Sequence, residues 1–152
     1  MLDDFIALSE ILTGISPLNS AAGDSYLKRC QGNPDIVGHL KDLIATFRDI
    51  KTGGADMDSA IRQRIMMDPI LGPCAEQVIY LWYVSAFFKK NPADPQKGVW
   101  QYGSAEQYDE ALIWQVIRGH APMTDGMTYG FWADPPAESI GFRDSARSIE
   151  HG

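Results

Sequence analysis

A chain of 152 residues, 45% hydrophobic and 22% charged, can build one domain with a real core but not two ordinary ones, and its composition is not that of a disordered chain. Twenty acidic residues against 13 basic ones give a formal net charge of −7, so phosphate backbones and anionic lipid surfaces repel it and nucleic acid is not an expected partner. The longest apolar stretch, Val78 to Phe88, runs for about 11 residues, well short of the roughly 20 that cross a bilayer.

The first two-thirds read as a string of helices. Phe5, Leu8, Ile11 and Leu12 follow helical spacing, and Thr13-Gly14 supplies a stop. A second helix is expected from Asn19, its cap, to Gly32, with Ala22, Tyr26, Leu27 and Cys30 on one face. Asn33-Pro34 reads as the start of a third, because proline at the first helical position loses no needed hydrogen bond. Ile36, Val37, Leu40, Leu43, Ile44, Phe47 and Ile50 then form one apolar stripe that Thr52-Gly53-Gly54 ends. A shorter helix follows from about Asp56 or Asp58, burying Met57, Ile61 and Ile65 and stopping before Asp68-Pro69.

Cys74 to Phe88 is apolar on most sides, which predicts a central helix wrapped by the others. A buried strand competes, since Val, Ile, Tyr and Trp favour strands, but length and helical neighbours favour the helix. Lys89 to Pro92 ends the segment, and residues 91–103, rich in Pro, Gly and Asp, read as a loop. Ser104 and Gln107 stand at capping-box spacing and open a last helix that ends near Arg118-Gly119, with Tyr108, Ala111, Leu112 and Ile113 or Trp114 facing inward. The fold class is therefore all-α: a compact bundle of about five or six helices over residues 1–118. An extended, irregular C-terminal tail over 119–152 packs on the body or on a partner. Tyr129, Phe131, Trp132, Pro135 and Pro136 crowd that tail without periodicity, and Gly126 and Gly130 interrupt it.

Catalytic chemistry finds little to work with. His39 lies away from much of its helix's apolar stripe and reads as solvated; His120 is in a loop and His151 at the C-terminus. No His-Glu-x-x-His, Glu-x-x-His or Cys-x-x-Cys is present, and the 44-residue spacing of Cys30 and Cys74 matches no metal-ligand pattern. Buried unpaired thiols and a Cys30–Cys74 bridge both remain open. There is no Gly-x-Gly-x-x-Gly, no phosphate loop after Gly53-Gly54 and no Gly-x-Ser-x-Gly elbow, so no dinucleotide or other cofactor is expected in this chain. Asp3-Asp4 and Asp109-Glu110 fit helix-start electrostatics better than acid–base work. Met57, Met66 and Met67, adaptable side chains near the central helix, suit either core packing or a small apolar ligand.

Four segments carry a resemblance. Leu2 to Gly14, with Ser9-x-x-Leu12-Thr13-Gly14 and Leu18 following, resembles the opening of the small-subunit family of membrane-bound FAD-dependent sugar and polyol dehydrogenases, which serve fructose, sorbitol and glucose dehydrogenase complexes. Asp68 to Leu71 with Ile79 to Tyr83 is similar to that family's buried aromatic helix. Tyr108 to Ile113 resembles the helix before its tail, and Tyr129 to Pro136 its Trp-containing C-terminal segment. The resemblance implies a non-catalytic subunit bound to a large FAD-containing oxidoreductase of the glucose–methanol–choline type, with a multihaem cytochrome c passing electrons to quinone. It also implies twin-arginine export of the pair to the periplasmic side of the inner membrane. Met1-Leu2-Asp3-Asp4 opens without a leader, so a cytoplasmic chain and a removed leader are both open. Within the tail, Tyr129, Gly130, Phe131, Trp132, Pro135 and Pro136 are the expected partner-binding residues. Some family members have a cysteine just upstream of that motif; Pro122 to Gly126 holds none here, so a covalent link would use Cys30 or Cys74.

Overall fold

The computed structural model describes residues 1–54 and 56–118, with the backbone alone at 95 and 96. Helices dominate, as the apolar periodicity predicts, and a single two-stranded sheet accompanies them among the described residues. Helix α1 (Leu2–Thr13) ends where Gly14 takes a left-handed φ of 72° and returns its N–H to the Glu10 carbonyl. Helix α2 (Ser20–Gly32) is capped by Asn19, whose side chain accepts the N–H groups of Ala21 and Ala22. Helix α3 (Val37–Thr52) starts three residues later than Pro34 suggests. Residues 34–36 form a turn instead, in which the Asn33 side chain accepts the Asp35 N–H at 2.9 Å. Asp56 caps α4 (Met57–Ile61), which widens into a π-helical turn at Arg62–Met66.

Helix α5 (Leu71–Val84) is the axis of the molecule. It packs against α1, α2 and α3, and its Val78, Leu81 and Trp82 are fully buried with Phe5, Leu8, Tyr26, Leu43 and Phe47. Two glycines set its spacing from its neighbours. A Cβ on Gly72 would lie 2.7 Å from the Met66 carbonyl oxygen, so only glycine lets α5 begin against the π turn. A Cβ on Gly23 would meet Ile6 at 2.9 Å and Trp82 at 3.7 Å, where α2 crosses α1 and α5. Tyr83 donates to the Thr13 carbonyl at 2.8 Å and ties α5 to the end of α1.

Two expectations about the chain after Val84 are corrected. The central helix does not continue to Phe88, and residues 91–103 are not a loop. Instead β1 (Ala86–Asn91) and β2 (Asp94–Tyr102) form an antiparallel hairpin with Phe88 opposite Trp100. The helix stops because Ser85 adopts a left-handed φ of 54°. Neighbours from distant sequence hold it there: the Tyr26 hydroxyl 2.8 Å from Ser85 Oγ, the Arg29 guanidinium on the Ser85 carbonyl at 2.9 Å, and the Gly103 N–H on the same oxygen. The strand signal was Val99-Trp100-Gln101-Tyr102, a β-favouring run at period two behind the Pro- and Gly-rich turn.

The single helix expected after the capping box is two short ones, α6 (Ala105–Asp109) and α7 (Leu112–Val116). The capping box itself forms, with Ser104 and Gln107 satisfying each other's backbone N–H. The break comes at Ala111, fully buried in an extended conformation. The Trp114 indole N–H donates to the Tyr108 carbonyl at 3.0 Å across it, and the two rings pack edge to face. Leu112 is buried against the body and α7 rests on α5.

Candidate functional site

The partner-binding residues expected from the sequence, Tyr129, Gly130, Phe131, Trp132, Pro135 and Pro136, lie outside the described residues, as do His120 and His151. His39 is exposed, as its place opposite the stripe predicts. Asp4 is engaged by Arg48 at 2.7 Å, and that hydrogen bond holds its carboxyl below the usual range. Asp109 and Glu110 are exposed just ahead of α7. Among the described residues no group of three or more His, Cys, Asp or Glu side chains could hold a metal ion, and no helix is long and apolar enough to cross a membrane.

Cys30 and Cys74 are both free and buried. Burial pushes the Cys30 thiol up to about 12, with the nearby Cys74 adding to the rise, and burial alone raises Cys74 to about 11. The thiolate is the reactive form, so both are poor nucleophiles at neutral pH. In the native protein a disulfide reagent is expected to modify neither thiol in minutes, and to titrate both once denaturant is added. Prompt labelling of the folded chain would show that the α2–α5 contact opens.

Two surface features emerge that the sequence reading missed, both built by the hairpin. The first is a face of aromatic rings on α5 and the two strands. Tyr80 lies 5.3 Å from Trp100 and 6.4 Å from Phe88, edge to face in both pairs, and Phe88 and Trp100 are 4.8 Å apart. The Phe88 ring lies across Gly98, where a Cβ would come within 2.5 Å of it. Trp100 keeps 39% of its surface exposed and Tyr102 64%. The hairpin is fixed to the body at both edges. Gln77 on α5 accepts the Phe88 N–H and donates to the Phe88 carbonyl, at 2.9 and 3.1 Å, as a neighbouring strand would. At the base, Arg29 donates to the carbonyls of Ser85 and Gln101 and to the Gln107 side chain, with its guanidinium 5.0 Å from the centre of the Phe87 ring.

The second feature is an open cleft of about 460 Å³ between the start of α3, the start of α5 and β1. Its apolar lining includes Ile36, Ile70, Cys74, Phe87 and Phe88, with His39, Gln77 and Gln101 among its polar groups. Two ion pairs tie β1 to the turn before α3 and to α5, Lys89 to Asp35 at 3.5 Å and Lys90 to Glu76 at 3.8 Å. Both are largely exposed, so each contributes at most about 1 kcal/mol.

Asp68 sits at the mouth of α5 and accepts the N–H groups of Leu71 and Ile70 at 2.7 and 2.8 Å, bonds that hold its carboxyl below the usual range. Asp56 is lowered in the same direction, by hydrogen bonds from Ser59. A depressed carboxylate stabilises the fold above its unfolded pKa of about 4 and loses that contribution as pH falls through the folded value. The urea midpoint is therefore expected to be level near neutrality and to fall below about pH 4, with Asp68→Ala lowering the neutral midpoint and shallowing the acid decline. An Asp68→Ala profile that coincides with the parent's would show that this cap contributes nothing.

No model of a known protein family matches this chain, and no curated protein matches it.

Proposed function

We propose that this chain is the non-catalytic small subunit of a membrane-associated FAD-dependent sugar or polyol dehydrogenase complex. In that role it binds and stabilises the large glucose–methanol–choline-type flavoprotein and escorts it in twin-arginine export. FAD would reside in the large subunit, with a cytochrome c subunit completing the complex on the periplasmic side of the inner membrane. The observation that carries the reading is the order of the four resembling segments. Support comes from where three of them fall. Leu2 to Gly14 coincides with α1 and its left-handed cap, Ile79 to Tyr83 with the second half of α5, and Tyr108 to Ile113 with the α6–α7 break. An escort needs a rigid body and apolar anchors that bury well on docking. The α5-centred core supplies the first, and the tail residues Tyr129, Phe131 and Trp132 the second, with Pro135 and Pro136 restricting the free segment and so lowering the cost of ordering it.

The test is co-expression of the flavoprotein with the full chain and with a chain ending before Met127. Yield of FAD-loaded complex is expected to fall at least tenfold with the shortened chain. Equal yield would remove the tail from the interface, and sugar oxidation or bound flavin in this chain alone would overturn the subunit reading.

A stand-alone ligand-binding protein is the second reading, favoured by the cleft beside β1, whose volume is in the range of small-molecule sites. Discrimination comes from the purified chain: a ligand carried through purification that Phe87→Ala releases would favour it over the escort.

A further inference from the structure

The register of the hairpin fixes which backbone groups the outer edge of β2 presents. Phe88 gives both its N–H and its carbonyl to the Gln77 side chain, on the side of β1 away from β2. The residue opposite it, Trp100, therefore directs its own N–H and carbonyl outward, and at period two so do Gly98 and Tyr102. The Gly103 N–H on the Ser85 carbonyl fits the same alternation. Among the described residues no group pairs with that outward edge, and Lys97 to Tyr102 are exposed at every position. We propose that this edge pairs with the same edge of a second copy, antiparallel about a two-fold axis at Trp100, so that two hairpins become one four-stranded sheet.

Self-complementarity decides the occupant. In that register Gly98 meets Tyr102 of the second copy and Trp100 meets Trp100, each pair exchanging both main-chain bonds. Trp100, Gly98 and Phe88 share one face, so the row of rings continues across the axis, and Tyr102 closes over Gly98 beside the Phe88 ring that lies there. On the other face Val99 meets Gln101. Charge does not oppose the contact. Residues 98–102 carry none, and the hairpin's lysines are matched within the chain, Lys89 by Asp35, Lys90 by Glu76 and Lys97 by Asp94. The pairing also closes on itself. It uses up both β2 edges, and Gln77 occupies the outer edge of β1 at Phe88, so a third copy has no edge to join. Val99, Trp100 and Tyr102 are 67%, 39% and 64% exposed. They offer a few hundred Å² per copy, about half the ~800 Å² that each side of a standard interface contributes. The expected dimer is accordingly weak, with a Kd of about 10–100 µM. The inference is independent of the escort reading and holds whichever larger partner the chain serves.

Sedimentation equilibrium of the full-length chain, from micromolar to millimolar concentration, measures the association, and two double variants at exposed positions test the register. Val99→Lys with Gln101→Lys sets like charges opposite one another across the axis and is expected to weaken dimerisation at least tenfold. Val99→Lys with Gln101→Glu sets opposite charges there and is expected to restore parental affinity or better. Both variants should keep the parent's far-ultraviolet circular dichroism, since neither side chain belongs to the core. In the parent, exchange of the Gly98, Trp100 and Tyr102 amides should slow as concentration rises. A parent that stays monomeric at millimolar concentration, or grows past two copies, or whose two double variants associate alike, would overturn the proposal. So would slow exchange of those three amides in the monomer, which would mean that another segment of the chain already covers the edge.

Discussion

Replacing Trp82 by alanine is expected to cost about 3–5 kcal/mol, enough to unfold much of a domain whose total stability is of the order of 5–15 kcal/mol. Trp82 is 1% exposed at the crossing of α2 and α5, with the Tyr26 ring 4.9 Å away edge to face and Gly23 opened to admit its six-membered ring. The α5 helix is packed against α1, α2 and α3, so the side chains around Trp82 have little freedom to collapse into the cavity. A second variant separates volume from polarity. The Trp82 indole N–H is buried without a partner, so Trp82→Phe removes an unpaired donor along with part of the ring. Its expected loss is about 1–2 kcal/mol, well under half that of alanine. Urea titration followed by far-ultraviolet circular dichroism measures both. Equal losses for Phe and Ala would mean that the ring edge near Gly23, not the volume, carries the effect.

The helical body was legible in the sequence because its signals are local. Asn19, Asp56 and the Ser104–Gln107 pair each act on N–H groups within three residues, and the α3 stripe repeats at the helical period whatever surrounds it. The hairpin was illegible because its causes are not local. Val78 to Val84 and Ala86 to Phe88 read as one apolar run, and nothing within it marks Ser85 as the place to stop. The stop is imposed by Tyr26 and Arg29, 59 and 56 residues earlier in the chain. The same holds for the surface features. The aromatic face joins Tyr80 to Trp100 and the cleft joins Ile36 to Phe87, and each pairing exists only once β1 has turned back along α5. Strand propensity at Val99 to Tyr102 was present, but the adjacent Asn91-Pro92-Ala93-Asp94-Pro95 outweighed it. In fact only Pro92 and Ala93 of that tract form the turn; Asn91 ends β1, and Asp94 and Pro95 begin β2.

Arg29→Ala is the change expected to separate the hairpin from the body while leaving the helices in place. The guanidinium serves three acceptors at once: the Ser85 carbonyl at 2.9 Å, the Gln107 side chain at 3.1 Å and the Gln101 carbonyl at 3.0 Å. Those groups belong to the end of α5, α6 and the end of β2, so one side chain ties together three elements at the base of the hairpin. Hydrogen bonds from a charged donor contribute more than neutral ones, and the stem and the Phe87 contact add packing. Partial exposure reduces this, and Ser85 keeps the Gly103 N–H as a second donor. A net loss of about 2–4 kcal/mol follows. Its distribution is the sharper expectation: hairpin amides from Phe87 to Gln101 should exchange faster, whereas Phe5, Leu43 and Val78 in the helical core should keep most of their protection. Arg29→Lys restores the charge but cannot reach three acceptors with one ammonium in a planar fork, so it is expected to recover less than half of the loss. If Lys restores full hairpin protection, charge alone matters and the fork geometry does not. If the core amides loosen as much as the hairpin, the strands are an integral part of the bundle and not a face mounted on it.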